Sequence, residues 1–482
     1  MNKHVVPLLF LGLLLSSCQE QSSGEASYTI KDKVTISLWS LTDEKYQPTL
    51  NRFIAEFEER EPNVTILSKI LNGSYNNLSE GVMTGFGLNN YPDLVQCYPD
   101  HVVNYLEQGK VIELSDFSKD TTYGFSEEDR SDYIQSLFKE GESYTSPGLY
   151  SLPWNKSTEV MFYNEDKLLN LDLSAYDPSI NGGKPLDAAY LSNLSWEDMF
   201  GHLCPAIDAY NEAHDHSLYT LDKNGMGAIL AYDSDENLFI TAMIQYAAGY
   251  TSINASGEGS VDFNNLTAKA ILKKFYEAHK DKYIITKESY GDYTSSLFTA
   301  NHALFAISSN TGASYNFDAK NPANIGVTRI PHALGKKPMA INQGPSLCLL
   351  SHRADDSQNH QLRAEASWLF YKYLTSKENS LAWSLETDYL PVRQSVYSSS
   401  EFIEASNLSD KEEKTYGRLK AKTIQTCSEI GEELFSTATF KGSSVARNQA
   451  KELIKWAFAT SDYDGEVDAV FSAAEAVVRE AM

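Results

Sequence analysis

The sequence predicts an α/β protein in two compact lobes, each a mostly parallel sheet flanked by helices. Three observations carry that expectation. Strand-period and helix-period apolar patterns alternate from Val34 onward. The chain has 482 residues, 42% of them hydrophobic, more than a single core usually takes up. The first alternation closes as strand, helix, strand, the order of a right-handed parallel βαβ unit.

In "KVTISLWSL" the side chains of Val34, Ile36 and Leu38 alternate toward one face, which predicts a half-buried strand. In "PTLNRFIAEFEEREPNVTIL" the residues Leu50, Phe53, Ile54 and Phe57 recur on one face of a helix that Glu61 and Pro62 end, and Val64 to Leu67 open the next strand. The segment "PDLVQCY" reads as a short buried strand, and "HVVNYLEQGKVIEL" as a helix ended by Gly109. The C-terminus predicts a helix after an Asp464-Gly465 break, with Val467, Val470, Phe471, Ala474, Val477 and Val478 on one stripe. Residues 170–194, carrying "DPSINGGKP", form the one long loop-like region, and no fixed-period repeat is present.

A formal net charge of −25 argues against a nucleic-acid partner, which needs cation-rich surface to release phosphate counterions. Aromatic residues reach 12%, with 29 tyrosines, and such amphipathic rings suit a wet cleft that grips a polar ligand. Residues 1–17 read as a leader: Lys3 and His4 precede an apolar run from Val5 to Leu15, too short to span a bilayer. It ends Leu15-Ser16-Ser17-Cys18, which resembles the bacterial lipobox, so Cys18 is the expected lipidation site and residues 18–30 a flexible tether. Cys97, Cys204, Cys348 and Cys427 are too widely spaced for a CxxC site and are expected as isolated buried thiols.

Ligands of open α/β sheets sit beyond the carboxyl ends of the strands. The polar and aromatic residues to watch are therefore Trp39 and Ser40, Tyr98, the run Ser308 to Thr311, and Gln343 with Gly344. The stretch "GLYSLPWNKSTEVMFYNEDKL" places Asn155, Lys156, Ser157 and Thr158 inside a run otherwise fit for burial. Buried hydroxyls are costly unless paired, so a hydroxylated ligand is one expected partner, with Trp154 as a stacking wall; satisfying backbone groups at a strand end is the other. Asp233 and Asp235 can accept hydrogen bonds from sugar hydroxyls or serve a helix start. Arg393 suits an anionic ligand or a hinge salt bridge. A secreted glycosidase is the competing class, but Glu159, Asp233 and Glu386 show no spacing that singles out a catalytic pair. His214 and His216 have no plausible third metal ligand, "DSDEN" fails as a calcium loop at Leu238 and Ile244, and nucleophile-elbow and phosphate-loop motifs are absent.

Four landmarks in order, "YPDLVQCY", "LYSLPWNKSTEVMFYNEDKL", "FTANHALFAISSNTG" and "EASWLFYKYLTSKENSLAWSLETDYLPVRQSVY", make the chain resemble a family-1 extracellular solute-binding protein, the receptor of a bacterial ABC importer. The resemblance implies a two-lobed type II periplasmic-binding-protein fold, with lobe 1 at 31–157 plus 340–392 and lobe 2 at 158–339 plus 393–482. It implies chain crossings near Ser157, Met339 and Leu390, and a ligand cleft between the lobes. Similarity to members that bind glycerol-3-phosphate or related phosphodiesters, in "NGSYNNLSEG", "PWNKST" and "DYLP", implies Tyr75, Ser157, Ser309, Gly344 and Tyr389 as ligand contacts. Asp100 stands one step beyond the position of that pattern's Glu, which is Pro99 here, and Lys441 is the nearest cation in "TATFKGSSVARN" to its phosphate-clamping Arg. The implied protein is no enzyme and needs no cofactor. It is a monomer outside the cytoplasm, attached to the membrane only through its lipid, that takes a sugar, or alternatively glycerol-3-phosphate or a glycerophosphodiester, to a permease.

Overall fold

The computed structural model describes residues 30–409 and 411–482. Cys18 and the leader lie outside them.

Two five-stranded sheets form the two lobes. The first runs in the order Val64–Ile70, Val34–Ser40, Leu94–Cys97, Ser346–Leu349, Leu152–Pro153. The second runs Ile325–Thr328, Glu159–Asn164, Phe305–Ser309, Leu230–Tyr232, Ile284–Thr286. The 34–40 and 64–70 strands pair in parallel around the helix Gln47–Arg60, and Leu50, Phe53, Ile54 and Phe57 of that helix are buried, as their spacing predicts. The expectation of mostly parallel sheets is corrected. Half of the pairings in each sheet are antiparallel: 346–349 runs against both 94–97 and 152–153 in the first, and 159–164 against both 305–309 and 325–328 in the second. Each of these two strands enters its sheet straight from a crossing between the lobes, so the rule that keeps consecutive βαβ strands parallel does not bind it.

The helices follow the sheets. Phe57 meets Phe370 and Tyr373 at centroid distances of 5.1 and 5.5 Å, so the helix His360–Leu374 returns to the first lobe. Ser443–Ala459 lies along Asp235–Gln245 in the second, and Tyr463–Ala481 packs on it. Asp464 and Gly465 do not break that last helix: they form its first turn, with the Asp462 side chain accepting from the Gly465 N–H at 3.1 Å. Its inward stripe is Val467, Phe471, Ala474 and Val478, while Val477 points outward. The cysteines Cys97, Cys204, Cys348 and Cys427 are buried thiols, as expected.

Three chain segments pass side by side between the sheets. Ser157 and Gln343 exchange backbone hydrogen bonds of 2.9 and 3.0 Å, and the Leu390 N–H donates to the Lys156 carbonyl at 2.7 Å. The second crossing falls at residues 342–345, because Ala340 and Ile341 still pair with Leu434 and Phe435 and pack in the second lobe's core. The Lys156 ammonium is buried among the crossings, where it pairs with Glu140 and donates to the Gly344 carbonyl at 3.1 Å. Glu140 also accepts from Asn342 Nδ2 at 3.0 Å and from the Ser346 hydroxyl at 3.3 Å. Gly344 has φ of +89°, and a Cβ there would stand 2.0 Å from the Asn155 carbonyl oxygen, so this close passage of two backbones requires glycine.

Removing one member of a buried pair leaves the other charge unpaired. Lys156→Met is expected to cost about 3–5 kcal/mol in urea unfolding, and Glu140→Leu added to it to recover most of that loss; equal destabilisation by the single and double substitutions would show that the pair is not what holds the crossings.

Candidate ligand-binding site

The strand ends bring the site together. Tyr75 opens the helix Tyr75–Leu88, held by a capping box in which Ser74 and Asn77 bond each other's backbone N–H groups. Tyr98 follows the 94–97 strand directly and leads into Pro99–Glu107, whose first turn carries Asp100. The Tyr75 and Tyr98 rings meet edge to face at 4.9 Å, and the Tyr389 hydroxyl reaches that of Tyr75. Burial pushes the Tyr389 phenol up to about 12, so all three hydroxyls remain protonated donors at neutral pH.

Facing them from the second lobe is Arg447, in the helix Ser443–Ala459. Its Nε stands 3.7 Å from Asp100 Oδ2, and its guanidinium carbon 5.8 Å from the Tyr98 ring centre. Its Nη1 donates to Asn237 Oδ1 at 3.0 Å. Asn237 in turn donates to Glu159 Oε1 at 3.1 Å and Gln343 Oε1 at 2.8 Å, which fixes its amide with the carbonyl toward the arginine. Glu159 also accepts from the Tyr232 hydroxyl at 2.6 Å, and burial pushes its carboxyl up to about 7. Glu236 adds a second carboxylate whose field reaches Arg447, Tyr98 and Tyr250. Asp100 Oδ1 is buried with no hydrogen-bond partner among the described residues.

At the rim, the lobes touch where Tyr315 donates to Asp43 and Lys45 to Ser314, both at 2.8 Å, with Lys45 also lying 4.3 Å from the centre of the Tyr315 ring. A polar cavity of about 560 Å³ opens beside this contact, between the ends of the 34–40 and 64–70 strands, lined by residues that include Asp43, Glu44, Gln47 and Asn72.

Of the residues expected from sequence, Tyr75, Tyr98, Asp100 and Tyr389 come together here. Ser157 and Gly344 lie in the crossings beneath, and Ser309 ends the 305–309 strand with its hydroxyl 2.9 Å from that of Thr311. The expectations for Trp154, Trp39 and Lys441 are corrected, and Asp233 and Asp235 take structural roles in place of the ligand role. Trp154 is no wall of the cleft: it is 2% exposed and stacks on Trp383 at 5.2 Å, and Trp383 stacks on Tyr389, so its ring supports the site from inside the core. Trp39 is likewise buried, with Lys69 over its ring at 4.1 Å. Asp233 is spent on Thr294, whose N–H and hydroxyl both donate to Oδ1 at 2.7 Å, and Asp235 serves Thr286 and Glu288 in the same way. Lys441 is exposed and faces Glu107 at 3.8 Å; the cation in the cleft is Arg447, later in the same stretch. The Thr158 hydroxyl donates to the Ile341 carbonyl at 2.9 Å, which answers its burial with backbone, and Arg393 faces Asp129 and Asp132 as a structural ion pair.

A family profile described as bacterial extracellular solute-binding protein matches residues 52–409. The chain belongs to that family. Its members bind small-molecule solutes and work with ABC permeases; they are not enzymes. Among curated relatives, this solute-binding protein is 21% identical over 374 residues to the sn-glycerol-3-phosphate-binding periplasmic protein UgpB of Escherichia coli (strain K12), covering 75% of each chain. Its fold matches UgpB from Mycobacterium tuberculosis in complex with glycerophosphocholine with a TM-score of 0.66 and 15% identity over 93% of this chain and 98% of that one. It matches the maltose-bound T. maritima MalE3 with a TM-score of 0.66 and 12% identity over 93% and 100% of the two chains. A third match is the cyclic alpha-maltosyl-1,6-maltose binding protein from Arthrobacter globiformis, with a TM-score of 0.64 and 15% identity over 93% and 100%. The two-lobed architecture is thus that of the periplasmic binding proteins, and no helix among the described residues is long and apolar enough to cross a membrane.

Trp154→Ala is expected to cost about 3–5 kcal/mol of stability, seen as a lowered Tm, whereas Lys441→Ala leaves both Tm and ligand affinity unchanged. A Trp154→Ala protein that unfolds like the parent would return that ring to the cleft wall.

Proposed function

We propose that the protein captures a neutral, hydroxyl-rich sugar, a mono- or oligosaccharide, between its lobes and hands it unaltered to a membrane permease. The observation that carries this reading is the composition of the cleft: three tyrosine rings and the unpartnered Asp100 Oδ1 of the first lobe facing Arg447, Asn237 and Glu236 of the second. Tyrosine rings cover the C–H faces of a sugar, and carboxylates accept its hydroxyls. The single guanidinium is already opposed by Asp100 and Glu236, so a phosphomonoester dianion entering here would meet two carboxylates. A glycerophosphodiester with a cationic head is the second reading, favoured by that same pairing of one guanidinium with carboxylates and rings: the phosphodiester would take Arg447 and the cation Asp100 and the tyrosines.

A solute touching both lobes favours the closed form only through contacts the open form lacks. The crossings at 157, 342–345 and 390 are the hinge in this reading, with lobe 1 at 31–157 plus 342–392 and lobe 2 at 158–341 plus 393–482. Lipidated Cys18 would hold the monomer at the membrane outside the cytoplasm, with residues 18–30 as tether.

Thermal unfolding with maltotriose, glycerol-3-phosphate and glycerophosphocholine separates the cargoes. A ligand at a hundred times its Kd stabilises the bound form by about 2.7 kcal/mol, and maltotriose is expected to raise the Tm where glycerol-3-phosphate does not. Tyr98→Ala and Tyr389→Ala should each weaken the sugar by about 1–2 kcal/mol, roughly five- to thirtyfold. A shift with glycerol-3-phosphate alone would overturn the neutral-sugar reading.

A further inference from the structure

Glu159 is a carboxylate buried beneath the cleft, out of reach of solvent. It is 1% exposed, at the start of the strand that leaves the crossings, and it reaches the site only through Asn237. Both protons of the Asn237 amide nitrogen are committed, one to Glu159 Oε1 and one to Gln343 Oε1, so the amide carbonyl is held against Arg447 Nη1. A flipped amide would set N–H groups against a guanidinium that has no acceptor. A Gln here would keep the bond from Asn237 and would donate to the Tyr232 hydroxyl in place of accepting from it, as a protonated Glu159 does, so it reproduces the neutral state of the site without its charge.

We propose that Glu159 is a specificity-determining positioning residue: its charge, delivered through Asn237, sets the net charge that Arg447 presents to the cleft and hence how far the site admits an anionic solute. Ionised, Glu159 adds a third carboxylate to Asp100 and Glu236 around one guanidinium. Protonated, it leaves Arg447 more nearly free to bind an anion. The charged and titratable groups facing Glu159 are Tyr232 from the 230–232 strand, Glu236 from the helix Asp235–Gln245, and Arg447 from the helix Ser443–Ala459. Those facing Arg447 in turn are Tyr98, Asp100 and His101 at the start of Pro99–Glu107, with Tyr250 and Glu236 from the second lobe. Tyr232 accommodates both states: its hydroxyl donates to the ionised carboxylate, and it can accept from the protonated one while turning toward Thr241. Burial raises the Glu159 carboxyl to about 7 against an ordinary value of 4.5, so the change of state falls near neutrality.

The folded protein therefore holds a proton on Glu159 that the unfolded chain releases between about pH 4.5 and 7, and this contribution to stability falls as pH rises through that window. This inference rests on the cleft being the solute site, so its test uses probes that do not depend on knowing the cargo. Tm is measured at pH 5.5 and 8.5 for the parent, Glu159→Gln and Arg447→Ala, at constant ionic strength, without ligand, with sulfate, which is a dianion throughout, and with maltotriose. Without ligand, Glu159→Gln is expected to be stabilised relative to the parent at pH 8.5 more than at pH 5.5. Sulfate should raise the Tm of the parent more at pH 5.5 than at 8.5, raise that of Glu159→Gln equally at both, and leave Arg447→Ala unmoved; the same comparison between parent and Glu159→Gln separates Glu159 from the titration of His101. An equal pH dependence of the sulfate shift in parent and Glu159→Gln, or no Arg447-dependent sulfate shift at either pH, overturns the proposal. A missing maltotriose shift alongside the expected sulfate pattern would sink the sugar reading and leave the role of Glu159 standing.

Discussion

The buried pair of Lys156 and Glu140 holds the three crossings, and with them both lobes, in register. Two charges taken out of water lose several kcal/mol of hydration each, and only mutual attraction with full hydrogen bonding offsets that loss. Here the ammonium also holds the Gly344 carbonyl, and the carboxylate also holds Asn342 and Ser346, so one ion pair joins the first and second crossings. The Leu390 N–H on the Lys156 carbonyl adds the third. With the crossings fixed at one place, the carboxyl ends of the parallel strands in both sheets face a common gap, which is the cleft.

The gap is lined by groups that answer one another across it. Arg447 meets Asp100 and Tyr98, Lys45 meets Ser314 and Tyr315, and Asp43 meets Tyr315. Each contact is between exposed or half-buried partners, and such pairs contribute modestly in water. A solute that bridges Asp100, Arg447 and the tyrosines therefore competes with weak contacts, and its own hydrogen bonds decide whether the lobes stay together. Acidic groups outnumber the single guanidinium at the centre, in keeping with the acidic chain as a whole.

Much of this was legible in the sequence where the pattern was local. The apolar period of Leu50, Phe53, Ile54 and Phe57, the strand-end position of Tyr98, and the aromatic in "DYLP" each follow from spacing or order along a few residues. The direction of the returning strands was not, since antiparallel entry of 346–349 beside 94–97 depends on where the chain comes back. A tryptophan beside a polar cluster looks like a cleft ring from sequence, and only the fold stacks Trp154 on Trp383 inside the core. Choosing Arg447 over Lys441 requires knowing that a helix begins at Ser443 and lies along Asp235–Gln245, which the local sequence does not say. The hydrogen bonds that Glu159 accepts from Tyr232 and Asn237 come from residues far along the chain, which no spacing rule reaches.

Closure of the lobes on an unaltered solute can be read by pulsed electron paramagnetic resonance between spin labels on the helices Tyr75–Leu88 and Ser443–Ala459. Saturating neutral oligosaccharide should collapse the distances onto one short peak, with the sugar recovered intact from the sample. A distribution that saturating sugar leaves unchanged, or a cleaved product, would contradict the account.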